Sequence, residues 1–279
     1  MNWIASGGVI GMACNRLAYK VEQRSLAIPR ALGSWIDTIA IVWAAVFLFA
    51  SLPKLIYPVT PVGSIQGFLA LALPYVIIAL APLAGFRVAS GSFPGGAPTA
   101  QPEIRLAIFG RWRKLSVLDA RAHPVFGPAG LMASLMIGLL INIVFRSFEF
   151  LLAIPAIDSN GPFWGRELFL YMTADVAVMG FFYMVCFVMA LRTAPLFPRM
   201  LLFAWGLDIC SQLIIASHIG GMRDLPVSVA LPLRQLLEGN IHKVLISAFV
   251  WLPYLILSER VNVTYRQRTE RRSPAVSVN

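Results

Sequence analysis

The run from Ile65 to Phe86 carries no charged side chain, although Pro74 should kink it. A segment of about 20 apolar residues is long enough to cross the hydrocarbon core of a bilayer as a helix. Further runs of this kind give six predicted spans, at 35–57, 65–86, 127–153, 168–191, 199–218 and 241–257. The composition agrees, because only 13% of the residues are charged, against about 25% in soluble domains. We therefore predict an all-α integral membrane protein with six transmembrane helices.

The spans divide the chain into five segments. A two-helix transmembrane hairpin at 35–86 and a four-helix transmembrane unit at 127–258 flank a loop rich in Gly, Pro and Arg at 87–126. Inside the four-helix unit, residues 223–239 are amphipathic and hold two prolines, so we expect an interfacial excursion there.

The two ends of the chain are predicted as tails. Residues 1–34 lack the basic start and the long apolar core of a signal peptide. Their apolar residues recur at helical spacing, which favours a helix on the membrane surface, while a plain solvated tail is the alternative. Residues 259–279 form a basic tail.

Basic residues are distributed unevenly between the two sides of the membrane. Most of the 23 Lys and Arg residues lie in the two tails, in the loop at 87–126 and in the turn at 192–199, which all fall on one side. By the positive-inside rule this side, and with it both termini, is cytoplasmic. The net charge of +10 therefore reflects topology. We expect no nucleic-acid partner, because neither a recognition helix nor interleaved aromatic residues accompany the charge.

Signatures of catalysis are missing from the sequence. The three histidines fall in three different segments, the cysteines lack metal-ligand spacing, and no nucleophile elbow, zinc-protease motif or phosphate loop occurs. We expect a protein that is not an enzyme, with no cofactor and no metal.

Asp208 lies halfway along the fifth span, with Gln212 one turn later on the same helix face. An ionisable residue at this depth usually points into protein or water, because a charge in the bilayer centre costs about 3 kcal/mol on insertion scales. Two interpretations stay open. Asp208 and Gln212 form a proton or cation site, or Asp208 is a neutral acid that hydrogen-bonds across helices.

A second candidate is an ion pair between the third and fourth spans. Arg146 and Asp175 lie at nearly equal distances from the turn near Asn160, so antiparallel helices place them at similar depth. Glu149 lies one turn further out, beside Arg146. We predict that Arg146 and Asp175 form a buried ion pair with Glu149 beside it. A purely structural role in holding the two helices together is favoured over a binding site for a solute.

Gly130, Ser134 and Gly138 repeat at intervals of four on the third span. Such spacing lets two helix backbones approach closely. We expect packing within the bundle, with contact to a partner subunit as the alternative.

The end of the sixth span carries a resemblance. Its closing residues are Trp251, Pro253, Tyr254, Ser258, Arg260, Val261, Thr264 and Tyr265. This order is similar to the last span of the bacterial inner-membrane family known as domain of unknown function 2569, and Leu196-Phe197-Pro198-Arg199 is similar to a short basic turn in that family. The resemblance covers about 127–268. It implies a helical bundle in a bacterial inner membrane and transfers no activity.

Together these patterns favour a non-enzymatic accessory or interaction protein of the inner membrane. Its expected partners are the lipid bilayer and a membrane protein or a second copy of the chain. The alternative is a small transporter or channel that uses Asp208 as a proton or cation site.

Overall fold

The computed structural model describes residues 8–60, 62–94, 101–102, 110–157 and 160–270. For residues 8–26 and 30 it describes the backbone only. The protein is 78% helical, which confirms the all-α prediction. The helices are α1 (Gly8–Ile56), α2 (Ile65–Ser92), α3 (Val117–Ala122), α4 (Leu131–Ala153), α5 (Phe163–Leu191), α6 (Phe197–Gly220), α7 (Val227–Leu257) and α8 (Glu259–Arg266). Two short strands, β1 (Trp112–Lys114) and β2 (Arg268–Glu270), pair antiparallel.

Six of these helices are long and apolar enough to cross a membrane: Ala27–Ile56 of α1, and the whole of α2, α4, α5, α6 and α7. Each overlaps one of the six predicted spans, although α1 ends at Ile56 and α4 begins at Leu131. The structure therefore confirms a multi-pass membrane protein with six candidate spans.

Helix α5 is the centre of the bundle and its most buried span. Helix α2 packs along one side of it, and α4 and α6 along others. Gly85 permits the close crossing of α2 and α5, because a Cβ at this position would lie 2.5 Å from the carbonyl oxygen of Phe181. The hairpin thus packs directly against the four-helix unit.

Three departures from the predicted boundaries change the segments of the chain. Helix α1 is continuous from Gly8 through the first span, so residues 8–34 are not a separate element. Helix α2 continues past 86 to Ser92, which shortens the expected loop. Helix α7 begins at Val227, so most of the segment 223–239, expected as an interfacial excursion, is continuous with the helix of the sixth span.

The position of the prolines explains the last difference. Pro226 is the N-cap of α7, where a missing N–H costs nothing. Pro232 lies inside the helix but near its start, so it removes a single hydrogen bond without ending the helix. The expectations for residues 1–7, 95–100, 103–109 and 271–279, and for the apolar face within 8–26, lie outside the residues and side chains described.

One end of the bundle is closed by the segments predicted as loop and tail. Strand β1 belongs to the former and strand β2 to the latter, with Trp112 opposite Glu270. Just before β2 in the chain, Tyr265 of α8 is fully buried, and its hydroxyl donates to the carbonyl oxygen of Ala190 at 2.8 Å. Burial raises the pKa of Tyr265 well above its ordinary value. We call this end, where α5 and α7 finish and α4 and α6 begin, the basic end.

Candidate functional site

Arg146 of α4 lies between two carboxylates. Its Nη2 is 2.7 Å from Oδ2 of Asp175 on α5, and its Nη1 is 2.7 Å from Oδ2 of Asp208 on α6. The side chain of Arg146 is 8% exposed, and those of Asp175 and Asp208 are 1% and 0% exposed. The structure thus places the pair predicted from hairpin depth and the separately predicted Asp208 in one cluster that joins three helices.

Hydroxyl and amide groups also donate to the two carboxylates. The Tyr183 hydroxyl donates to Oδ2 of Asp208 at 2.7 Å. Asp175 accepts through Oδ1 from the Ser211 hydroxyl at 2.6 Å and from Nε2 of Gln212 at 2.9 Å. Gln212 therefore belongs to the cluster, as its place on the helix face of Asp208 predicted, but it binds Asp175.

The cluster continues to the fourth helix of the unit. Nδ2 of Asn240 on α7 donates to Oε1 of Gln212 at 3.3 Å. The chain of contacts from Arg146 through Asp175 and Gln212 to Asn240 crosses α4, α5, α6 and α7 in turn. One polar network therefore joins all four helices of this unit.

Sequence reasoning missed Tyr183, Ser211 and Asn240. For Tyr183 a signal existed, because equal depth on both sides of the turn at Thr193 and Ala194 places Asp208 within about one helical turn of Tyr183. Asn240 carried no such signal, since it lay outside the predicted spans, between the segment 223–239 and the sixth span at 241–257.

Glu149 does not join the Arg146 cluster, so this part of the prediction was wrong. Its carboxylate accepts a hydrogen bond from Nζ of Lys243 on α7, and both side chains are partly exposed. Three residues along a helix leave a rotation of about 60° between two side chains. That rotation turns Glu149 from the interior towards α7.

An open cleft separates α4 and α7 beside the cluster. Helix α4 packs on α5, α5 on α6 and α6 on α7, whereas α4 and α7, both fully described, do not pack along each other. The gap encloses a cavity of about 500 Å³. Arg146 and Tyr183 contribute to its inner wall, and Glu149 and Lys243 also line it.

The residues Gly130, Ser134 and Gly138 do not form a packing seam within the bundle. Gly130 is the N-cap of α4, with φ of +63°, and precedes the helix. Ser134 and Gly138 are exposed, and a Cβ built at Gly138 meets no atom within 4 Å. The expectation of packing within the bundle was therefore wrong, and the two residues lie on an uncovered face of α4 that borders the cleft.

The chemistry available to the cluster follows from its charges. Two carboxylates face one guanidinium, so the cluster carries a formal charge of −1 when both acids are ionised. Among the described residues, two buried polar atoms of the cluster have no hydrogen-bond partner, Nε of Arg146 and Oδ1 of Asp208. The described residues also contain no group of three or more His, Cys, Asp or Glu side chains that could hold a metal ion.

Comparison with known proteins adds no relative: no protein-family model matches the sequence, and no curated protein or solved structure shows significant similarity to it.

Proposed function

We propose that this chain is a non-enzymatic accessory protein of the membrane that binds a transmembrane helix of a partner protein, or of a second copy, against α4 at the α4–α7 cleft. The observation that carries the proposal is the uncovered face of α4. This face includes Ser134, Gly138, Ile141 and Phe145, and the last three also line the cleft.

The chemistry of this face suits a helix. Small residues such as Ser134 and Gly138 let a second backbone approach closely, which is a common basis of helix association in lipid. Asn142 and Ser247 line the same cleft and offer polar groups for hydrogen bonds between helices. The exposed rings and aliphatic chains of Phe145 and Ile141 supply the remaining contact area.

The charge cluster supports a structural role for the interior. Each carboxylate accepts from the guanidinium and from at least one neutral donor, and these bonds tie α4, α5 and α6 together. Removing one member of such a cluster strands its partners, so the network favours a single arrangement of the helices. In that arrangement the cleft between α4 and α7 lies beside the cluster.

The location follows from the sequence arguments. We place the protein in a bacterial inner membrane with the basic end and both termini in the cytoplasm, as the bias of Lys and Arg indicates. Kinship of 127–268 with the family of domain of unknown function 2569 is part of this proposal, and it rests on the closing motif around Trp251 and Tyr254.

Purification in mild detergent tests the proposal. The wild-type protein should keep a stoichiometric companion or a second copy, detected as a mass by native mass spectrometry. Gly138→Leu should release it, because the larger side chain occupies the contact face. Gly206→Leu is the matched control, since Gly206 is an exposed glycine on α6 with open space around it. A single monomeric species in the wild type contradicts the proposal.

Site-specific photocrosslinking locates the contact. A benzophenone amino acid at Phe145, which is 64% exposed and lines the cleft, should crosslink to the companion. The same group at Phe203, which is 53% exposed on α6, should not. Equal crosslinking at the two positions would place the partner elsewhere.

The second candidate function is that of a proton or cation transporter. It is favoured by Oδ1 of Asp208, a buried carboxylate oxygen for which the described residues supply no partner. In proteoliposomes with an internal pH dye, Asp208→Asn should then abolish proton flux driven by a potential, whereas Asp37→Asn, at an exposed ion pair, should not. Unchanged flux in Asp208→Asn would remove Asp208 from any transport mechanism.

A further inference from the structure

A small basic cavity lies at the basic end, away from the charge cluster and the cleft. It has a volume of about 90 Å³, and two arginines line it, Arg199 of α6 and Arg266 of α8. The rest of its wall is mostly apolar and includes Leu202 and Leu252, on the helices α6 and α7. The fold therefore joins two guanidinium groups to an apolar surface at the end of two candidate spans.

The arginines of this cavity lack a carboxylate partner among the residues that the structure describes. Nη1 of Arg266 donates to the carbonyl oxygen of Leu255 at 2.6 Å and to Oδ1 of Asn262 at 3.0 Å, which are neutral acceptors. No ion pair joins Arg199 or Arg266 to any described acid. Among the described residues, the two positive charges at this cavity are therefore not neutralised by an acid.

The pKa of Arg266 also indicates a concentration of positive charge at this cavity. Its pKa is lowered to about 10, first by burial and then by the neighbouring charges of Arg268 and Arg199. A guanidinium whose pKa is lowered in this way is buried beside like charges. An anion at this place would relieve both the burial cost and the repulsion.

The apolar residues around the two arginines favour an anionic lipid as the ligand. Leu202 is 36% exposed, and Leu252 and Ile256 are partly exposed at the same end of the candidate spans α6 and α7. The ends of spanning helices lie where acyl chains meet the headgroup layer. Basic pockets between transmembrane helices bind anionic lipid headgroups. A cavity of about 90 Å³ has room for part of a headgroup, since a water molecule in the liquid takes about 30 Å³.

We propose that this cavity binds the phosphate of an anionic phospholipid between Arg199 and Arg266, with an acyl chain along Leu202 and Leu252. The site goes beyond the proposed function, because it lies at the C-terminal end of α7, away from Asn240 near the middle of that helix, and shares no residue with the cluster or the cleft. It ties the packing of α8 to the lipid composition of one leaflet.

Native mass spectrometry of the delipidated full-length protein tests the site, with phosphatidylglycerol and phosphatidylcholine added in equal amounts. The wild type should retain phosphatidylglycerol in preference. The preference should fall about fivefold for each arginine replaced, the factor expected for one basic residue near a charged lipid surface. Arg113→Gln is the matched control, since Arg113 is an exposed arginine of β1 at the same end.

Three outcomes of the lipid competition would overturn the site: equal retention of the two lipids by the wild type, an unchanged preference in the double variant Arg199→Gln with Arg266→Gln, or an equal loss in Arg113→Gln. Because Arg266 also bonds to α7 and α8, the double variant can fail to fold. Arg199→Gln alone then decides, since Arg199 makes no ion pair with a described residue. Displacement of the lipid by millimolar inorganic phosphate would show a free-anion site instead and would also overturn the proposal.

Discussion

Asp208 and Tyr183 lie on neighbouring helices, and the tyrosine hydroxyl donates to the same carboxylate oxygen, Oδ2, that accepts from Arg146. One oxygen thus takes a neutral and a charged donor while its twin, Oδ1, has no partner among the described residues. Both donors hold the carboxylate of Asp208 in place, and each hydrogen bond can be removed separately by a single substitution, at Tyr183 or at Arg146.

Tyr183→Phe should lower the free energy of unfolding by about 1.5–3 kcal/mol, as expected for losing a hydrogen bond to a charged group. The ring stays in place, so packing is conserved. Tyr75→Phe is the matched control, because Tyr75 is equally buried but its hydroxyl has no partner among the described residues. It should be neutral or stabilising in the same denaturation series in detergent. A loss of similar size in both variants would contradict the bond to Asp208.

Arg146→Met should be far more damaging, by about 3–5 kcal/mol, because it strands two buried carboxylates. Thermal unfolding in detergent micelles measures the loss. Arg87 offers the comparison, since it pairs with Asp37 at 3.6 Å on the exposed surface. Arg87→Met should change stability by less than about 1 kcal/mol. Equal melting temperatures for wild type and Arg146→Met would show that the cluster contributes nothing to the fold.

Gly85→Ala should destabilise the contact between α2 and α5 by about 1–3 kcal/mol, the usual cost of overpacking. The reason is steric, since the new Cβ would lie 2.5 Å from a backbone oxygen that cannot move alone. Gly206→Ala introduces the same methyl group into open space on α6 and should leave stability unchanged or slightly higher. Unfolding followed by circular dichroism distinguishes the two, and equal stability would argue against the close crossing.

The difference in stability between wild type and Tyr265→Phe should depend on pH. Because burial raises the pKa of Tyr265, its neutral hydroxyl stabilises the fold fully below the pKa of an unfolded tyrosine, about 10. Above that pH the unfolded chain loses the proton and the folded chain keeps it, so the advantage of the wild type should fall. Unfolding free energies measured at pH 8, 10 and 11 test this sign. An advantage that grows with pH would be incompatible with a buried neutral hydroxyl.

The spans were predictable because the bilayer imposes a simple rule on sequence. A run such as Ile65–Phe86 has to be free of charge, and this holds whatever the helix packs against. Its end was less predictable: Arg87 and Ser92 belong to α2 because a helix can continue beyond the apolar region into polar surroundings. The pairing of Arg146 with Asp175 was also predictable. In two antiparallel helices joined by a short turn, residues at equal distances from the turn lie at similar depth in the membrane.

The contact of Asp208 with Arg146 could not be predicted from the sequence in the same way. It depends on how α6 is rotated relative to α4, two helices away, and side-chain direction around a helix axis is set by packing on both sides. Glu149 shows the same limit, because a rotation of about 60° decides between Arg146 and Lys243. Strands β1 and β2 were missed because three residues are too few to display an alternating pattern.

The pairing of these two strands has a consequence for the order of assembly. Strand β1 lies in the connection between the second and third spans, and its partner β2 follows the sixth. A ribosome therefore delivers β2 only after every membrane helix has left it. The pairing of β1 with β2 can therefore form only after all six described candidate spans have been synthesised.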